Sequence, residues 1–165
     1  MANNVKNTIH KHILTLSYEN VSLSQYEDYR IYKNATILAP GEWTDSITRE
    51  PIVYTDKNLE LGAANWKSDF LNLDHSFATD DRIGWVKNGH ADNGCVKADL
   101  YINKKLQKGK DTIERIDCGL VNGVSAELTT TDRYDFGNNK YYAENICFLG
   151  AAVCLFPACD AAKVK

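Results

Sequence analysis

A histidine in the segment LNLDHSF, His75, and a serine in NGVSAEL, Ser125, are the side chains whose types could combine into chemistry. A serine hydroxyl is a weak nucleophile until an imidazole takes its proton, and the two need to meet in space, not in sequence. Each alone has an ordinary explanation, since most strand serines hydrogen-bond locally and most single histidines are surface or satisfied core residues. The other histidines offer less. His10 and His12 share one face if VKNTIHKHILTLSYE is a strand, but they sit in a polar segment, and His90 falls in the turn-forming stretch NGHADNG.

Cys95, Cys118, Cys147, Cys154 and Cys159 are unevenly spaced, and three of them lie in or beside the apolar run FLGAAVCLFPACDAAKV, where free thiols pack well. Cys154 and Cys159 straddle Pro157, a poor zinc hook, and no second close Cys or His pair completes four ligands. No metal and no cofactor are expected.

The frame for such a site has to fit into 165 residues, which suits one globular domain, and 44% hydrophobic residues suffice for its core. With 22 acidic against 19 basic residues there is no overall basic field to recruit nucleic acid or an anionic membrane. No apolar stretch reaches the roughly 18 to 20 residues that span a bilayer, so a cytosolic setting is expected.

Along the chain, ATILAPGEW reads as a strand closed by a Pro-Gly turn, and NLELGAANW as a short helix with Leu59, Ala63 and Trp66 on one side. FLNLDHSF reads as a strand. DRIGWVKN and CVKADLYI read as a hairpin across NGHADNG. TIERIDCGLV has helical spacing through Ile113 and Ile116, with Gly119 or Gly123 to end it before the alternating strand VSAELTTT. YYAENICFLGAAVCLF is a long apolar strand stopped by Pro157. The expected fold is α+β, a mostly antiparallel β-barrel flanked by a few helices.

The ordered set ATILAPGEW, LNLDHSF, RIGWV, VKADLYI, a helix, NGVSAEL and a last strand ending in FPA before DAAKV resembles the prohead proteases of tailed phages, which share a fold with herpesvirus assemblin. The resemblance covers residues 35–165 and leaves residues 1–34 as an N-terminal extension, either an added strand or a removable leader. It implies a serine endopeptidase with His75 as general base and Ser125 as nucleophile. It also implies the major capsid protein and scaffold protein as substrates, in the host cytoplasm inside an immature prohead, with no direct nucleic-acid or membrane partner. Self-cleavage of the leader would belong to the same activity.

The chain departs from the family at the third catalytic member. Where an acidic residue or a second His stands on the last strand of relatives, this sequence has Gly150, which cannot orient an imidazole. Glu127, two residues from Ser125 on the same strand face, and Glu144, on the returning strand, are equal candidates to replace it; Asp74, pointing to the opposite face from His75, ranks below them. A Ser-His dyad is a further option. The tail LFPACDAAKVK lacks the arginine pair of herpesvirus relatives, so backbone N–H groups are expected to form the oxyanion hole, with Arg133 the nearest alternative. Herpesvirus relatives act as dimers through late helices; a homodimer of this chain would need another surface. The competing readings are an inactive capsid scaffold or assembly protein on the same fold, favoured by Gly150, and a cysteine hydrolase using Cys118 or Cys147, against which burial of the thiols speaks.

Overall fold

The computed structural model describes residues 27–44 and 50–164. His10, His12 and most of the expected N-terminal extension lie outside these residues. Within them the fold is mixed α+β and mostly antiparallel, a single sheet of eight strands with two helices.

Strand β1, Tyr29–Leu38, pairs with β6, Cys95–Asn103, so sheet pairing begins before Ala35, where the domain was expected to start. From β1 the sheet runs through β6, β5 (Arg82–Asp92), β4 (Trp66–Leu73) and β8 (Lys140–Cys154) to β3 (Pro51–Tyr54) and β2 (Gly41–Thr44). Strand β7, Gly123–Asp135, lies along the other edge of β8. The Pro40–Gly41 turn therefore does not fold β1 back onto β2. It joins strands at opposite ends of the path, and since the three peptide units from Leu38 to Gly41 span about 10 Å at most, the sheet has to curl.

The curl is a half-barrel that the C-terminal segment bridges. The Val124 N–H donates to Ala162 O and the Val164 N–H to Asn122 O, while on the opposite side the Thr36 N–H donates to Lys163 O. The segment around Lys163 thus lies between the start of β7 and β1, with Cys159, Ala162 and Val164 buried under it. Ile37, Leu71, Ile83, Leu100, Ile102, Val124 and Phe148 fill the enclosed core, all essentially solvent-free.

Helix α1, Asp56–Gly62, is shorter than the NLELGAANW pattern suggested. Thr55 Oγ1 accepts from the Asn58 N–H as its N-cap. Leu59 and Ala63 face the core as expected, but Trp66 belongs to β4, where its ring stacks on Phe148 with centroids 4.8 Å apart. Helix α2, Gln107–Asp117, starts earlier than TIERIDCGLV implied and ends at Gly119, whose N–H returns to Ile116 O. The β5–β6 hairpin turns tightly at Asn93-Gly94, both at positive φ, so His90 sits on β5 as an exposed strand residue and not in the turn.

Two bulges shape this wall of the sheet. Asn34 on β1 and Asn88 on β5 both take left-handed backbone conformations where their ladders slip. One buried carboxylate, Asp99 on the intervening β6, accepts from the Asn34 N–H at 2.9 Å and from Asn88 Nδ2 at 2.7 Å. Replacing Asp99 with Ala strips two donors on exposed residues, Asn34 and Asn88, of their charged acceptor. We expect a loss of about 1 to 3 kcal/mol in urea unfolding, the range for hydrogen bonds to a charged group, with Asp99→Asn recovering part of it.

Candidate functional site

Strand β8 is the floor of the site. Along it, Ser125 pairs with Ala152 and Glu127 with Gly150 on the β7 side, while Asn72 and Phe70 pair with the same two residues on the β4 side. Directly paired residues project to the same face of a sheet, and alternate residues along a strand share that face. Ser125, Glu127, Ala152, Gly150, Asn72 and Phe70 therefore form one patch on the outer face, opposite the core residues Val124, Ala151, Val153 and Leu71. The patch is nonetheless largely buried: Ser125 is 8% exposed and Ala152 fully buried, with Glu127 half-buried at its edge.

The cover comes from the segment that follows β4. The strand expected through LNLDHSF ends at Leu73, and Asp74 and His75 make a turn at φ 45° and 60°. The Ser76 N–H closes this turn on Leu73 O, and the Asp74 N–H donates to Val153 O on β8. Asp74 thus does not oppose His75 across a strand, as the sequence suggested. Two successive non-glycine residues in the left-handed region are costly, and such strain persists where the surroundings over-determine it. Phe77, beyond the turn, folds its ring edge-on to Phe70 at 6.2 Å.

From this turn the imidazole reaches back across β8. His75 Nδ1 lies 2.7 Å from Glu127 Oε1. The turn is fastened level with Val153, whereas Glu127 lies level with Gly150, so the imidazole and the Glu127 side chain together span that offset along β8, where only Ala152 and Gly150 face the patch. The carboxylate takes the Nδ1–H and so assigns the neutral tautomer, leaving Nε2 as the acceptor. His75 Nε2 and Ser125 Oγ form no hydrogen bond with each other or with any other described residue. The Glu127 hydrogen bond first, and then the charges of Glu127 and Asp74, raise the His75 pKa against the opposing pull of burial.

Gly150 gains a physical reason. A Cβ there would run into the carbonyl oxygen of Phe70 and come within 2.7 Å of its ring. Immediately beyond the Glu127–Gly150 pair the β7–β8 ladder slips by one residue at Leu149, a bulge of the kind that re-aims neighbouring side chains. Glu127 alone of the three candidate carboxylates touches the imidazole. Glu144 is bound to Arg133 Nε at 2.6 Å farther along the β7–β8 ribbon, opposite Thr131, and Arg133 also lies over the Tyr142 ring. Neither Glu144 nor Arg133 is among the groups around His75.

The cysteines divide between surface and core. Cys118 is exposed at the end of α2; Cys147 is buried, with its thiol toward Phe148 O. Cys154, opposite Gly123 on β8, lies near the site: burial pushes its thiol up to about 11, and the Asp74 and Glu127 carboxylates add to the shift. A thiol so held stays protonated at neutral pH and is inert as a nucleophile. Among the described residues no three His, Cys, Asp or Glu side chains converge to hold a metal ion, and no helix is long and apolar enough to cross a membrane.

Two outcomes follow. Gly150→Ala should destabilise by about 1 to 3 kcal/mol through overpacking against Phe70, and Gly150→Asp, which places a carboxylate there, should unfold at still lower denaturant. The raised His75 pKa means that its pairing contributes stability fully below the ordinary value of 6.5 and loses it as pH rises through the folded-state value. Glu127→Gln should therefore lower the His75 pKa in an NMR titration and flatten the change of stability across that window.

Comparison with known proteins leaves the site to be judged on its geometry, because no protein family model, no curated protein and no solved structure matches this chain.

Proposed function

We propose that the chain is a serine endopeptidase with Ser125 as nucleophile, His75 as general base and Glu127 as the residue that orients the base. The observation that carries this reading is the 2.7 Å contact of Glu127 with His75 Nδ1, made by a carboxylate that stands two residues from Ser125 on the same strand. Nδ1–H held on a carboxylate leaves the Nε2 lone pair free to accept a proton and stabilises the imidazolium that forms when the proton moves. Ser125 Oγ attacks the peptide carbonyl as its proton passes to Nε2. The tetrahedral intermediate collapses as Nε2 returns the proton to the leaving amine, and water, activated in the same way, hydrolyses the acyl-enzyme. With Arg133 engaged by Glu144, backbone N–H groups are left to bind the oxyanion.

The missing Ser125–His75 hydrogen bond is compatible with this chemistry, since catalytic hydrogen bonds are often long before substrate binds. The narrower reading, a capsid maturation protease on a herpesvirus-protease-like fold that cuts scaffold and major capsid protein inside the prohead, is supported by the order of motifs from ATILAPGEW to DAAKV. On that reading Glu127, on the serine strand, takes over the orienting task that relatives assign to the last strand. A second reading, an assembly module that keeps the fold without the activity, is favoured by the burial of Ser125 beneath the His75 turn.

A fluorophosphonate separates them. Labelling confined to Ser125 by intact mass, and lost in Ser125→Ala and His75→Ala, is the outcome for a hydrolase; an unlabelled chain that binds scaffold protein tightly supports the assembly module. Glu127→Gln should slow labelling about 100- to 10,000-fold, as removal of an orienting carboxylate does. The wild-type rate should climb with pH through the raised His75 pKa, because only the neutral ring accepts the proton.

A further inference from the structure

The His75 turn is held from outside as well as from β8. Ser76, the residue after His75, accepts from the Ala78 N–H through Oγ at 3.3 Å and donates that hydroxyl to Asp81 Oδ2 at 2.6 Å. Asp81 closes the short 3-10 helix Thr79–Asp81, and its other oxygen, Oδ1, receives Lys108 Nζ. Lys108 stands in the first turn of α2, and α2 runs on through Gly119 to the strand that carries Ser125. One helix of about 16 Å thus connects a brace on the base to the approach to the nucleophile.

We propose that Ser76, Asp81 and Lys108 are positioning residues that lock the His75 turn, through α2, in register with Ser125. The proposal rests on the serine-hydrolase reading of the site. A turn with two left-handed residues relaxes unless it is held, and its backbone bonds to Leu73 and Val153 fasten only its β4 side. The Ser76–Asp81 bond fastens the other side. The Lys108–Asp81 pair is partly exposed, with about half of the Lys108 side chain open to water, and exposed pairs add little to global stability. Its effect is geometric: it fixes which Asp81 oxygen remains for Ser76. Asp80 also faces Lys108 and supplies a second, weaker attraction that keeps the amine in place.

The test uses the whole chain with Ser76→Ala, Asp81→Asn and Lys108→Met, and Lys105→Gln as a control that breaks a comparable exposed pair with Asp28. Two readouts are followed: the NMR titration of His75, which needs no activity, and the rate at which a fluorophosphonate labels Ser125. A base displaced by as little as 1 Å can lose up to about 100-fold in rate. We expect labelling to fall about 10- to 100-fold in Asp81→Asn and Ser76→Ala and less in Lys108→Met. The His75 pKa should fall with it as the ring loosens from Glu127, while Lys105→Gln changes neither. Unchanged titration and labelling in folded Asp81→Asn and Lys108→Met would overturn the brace. A wild-type chain that is never labelled, with the titration still moving, would discard the catalytic reading and leave these three residues a structural tie.

Discussion

Everything at the site depends on how closely β4 can approach β8. The two strands run parallel, with the Phe70 backbone against Gly150, and the absence of a side chain at Gly150 is what allows that approach. The approach brings the end of β4, and so the His75 turn, alongside Val153, and it leaves Gly150 and Ala152 as the small residues of β8 between the turn and the β7 side. A larger side chain at Gly150 would meet the Phe70 carbonyl and push β4 away. The glycine is thus a packing condition for the strand approach that lets His75 meet a carboxylate on β7.

The same geometry separates His75 from the pH behaviour of an isolated histidine. Its ring is held by Glu127 and lies within the field of Asp74, while Cys154 stays a neutral thiol between the two carboxylates' influences. Burial acts against the imidazolium and the carboxylates act for it. The hydrogen bond decides the direction, since a short contact between opposite charges in a poorly solvated place outweighs partial desolvation.

Much of this was legible in the residues. The long β8, the β5–β6 hairpin, the helix before Ser125 and the shared face of Ser125 and Glu127 all follow from local periodicity, which depends only on neighbours in sequence. What escaped was set by neighbours in space. Nothing in LNLDHSF distinguishes a continuing strand from a left-handed turn after Leu73, because that turn is imposed by Val153 and the Ser76–Asp81 contact. Glu144 and Glu127 can be ranked only from the β7–β8 register, which sets Glu144 opposite Thr131, four residues along β7 from Glu127. The Pro40–Gly41 turn is legible locally, but the strands it joins are not: it links far ends of a curled sheet and not adjacent strands.

The segment around Lys163 has a consequence for the order in which the fold closes. It ties Thr36 to Val124, so it cannot dock until strands drawn from nearly the whole length of the chain already stand in place. Contacts between residues so distant in sequence carry a large loop-closure cost and form late. The strand bearing Ser125 is anchored at its first residues by this bridge. Until it closes, those residues lack the tether that joins them to β1, so the two edges of the curled sheet stay unlinked.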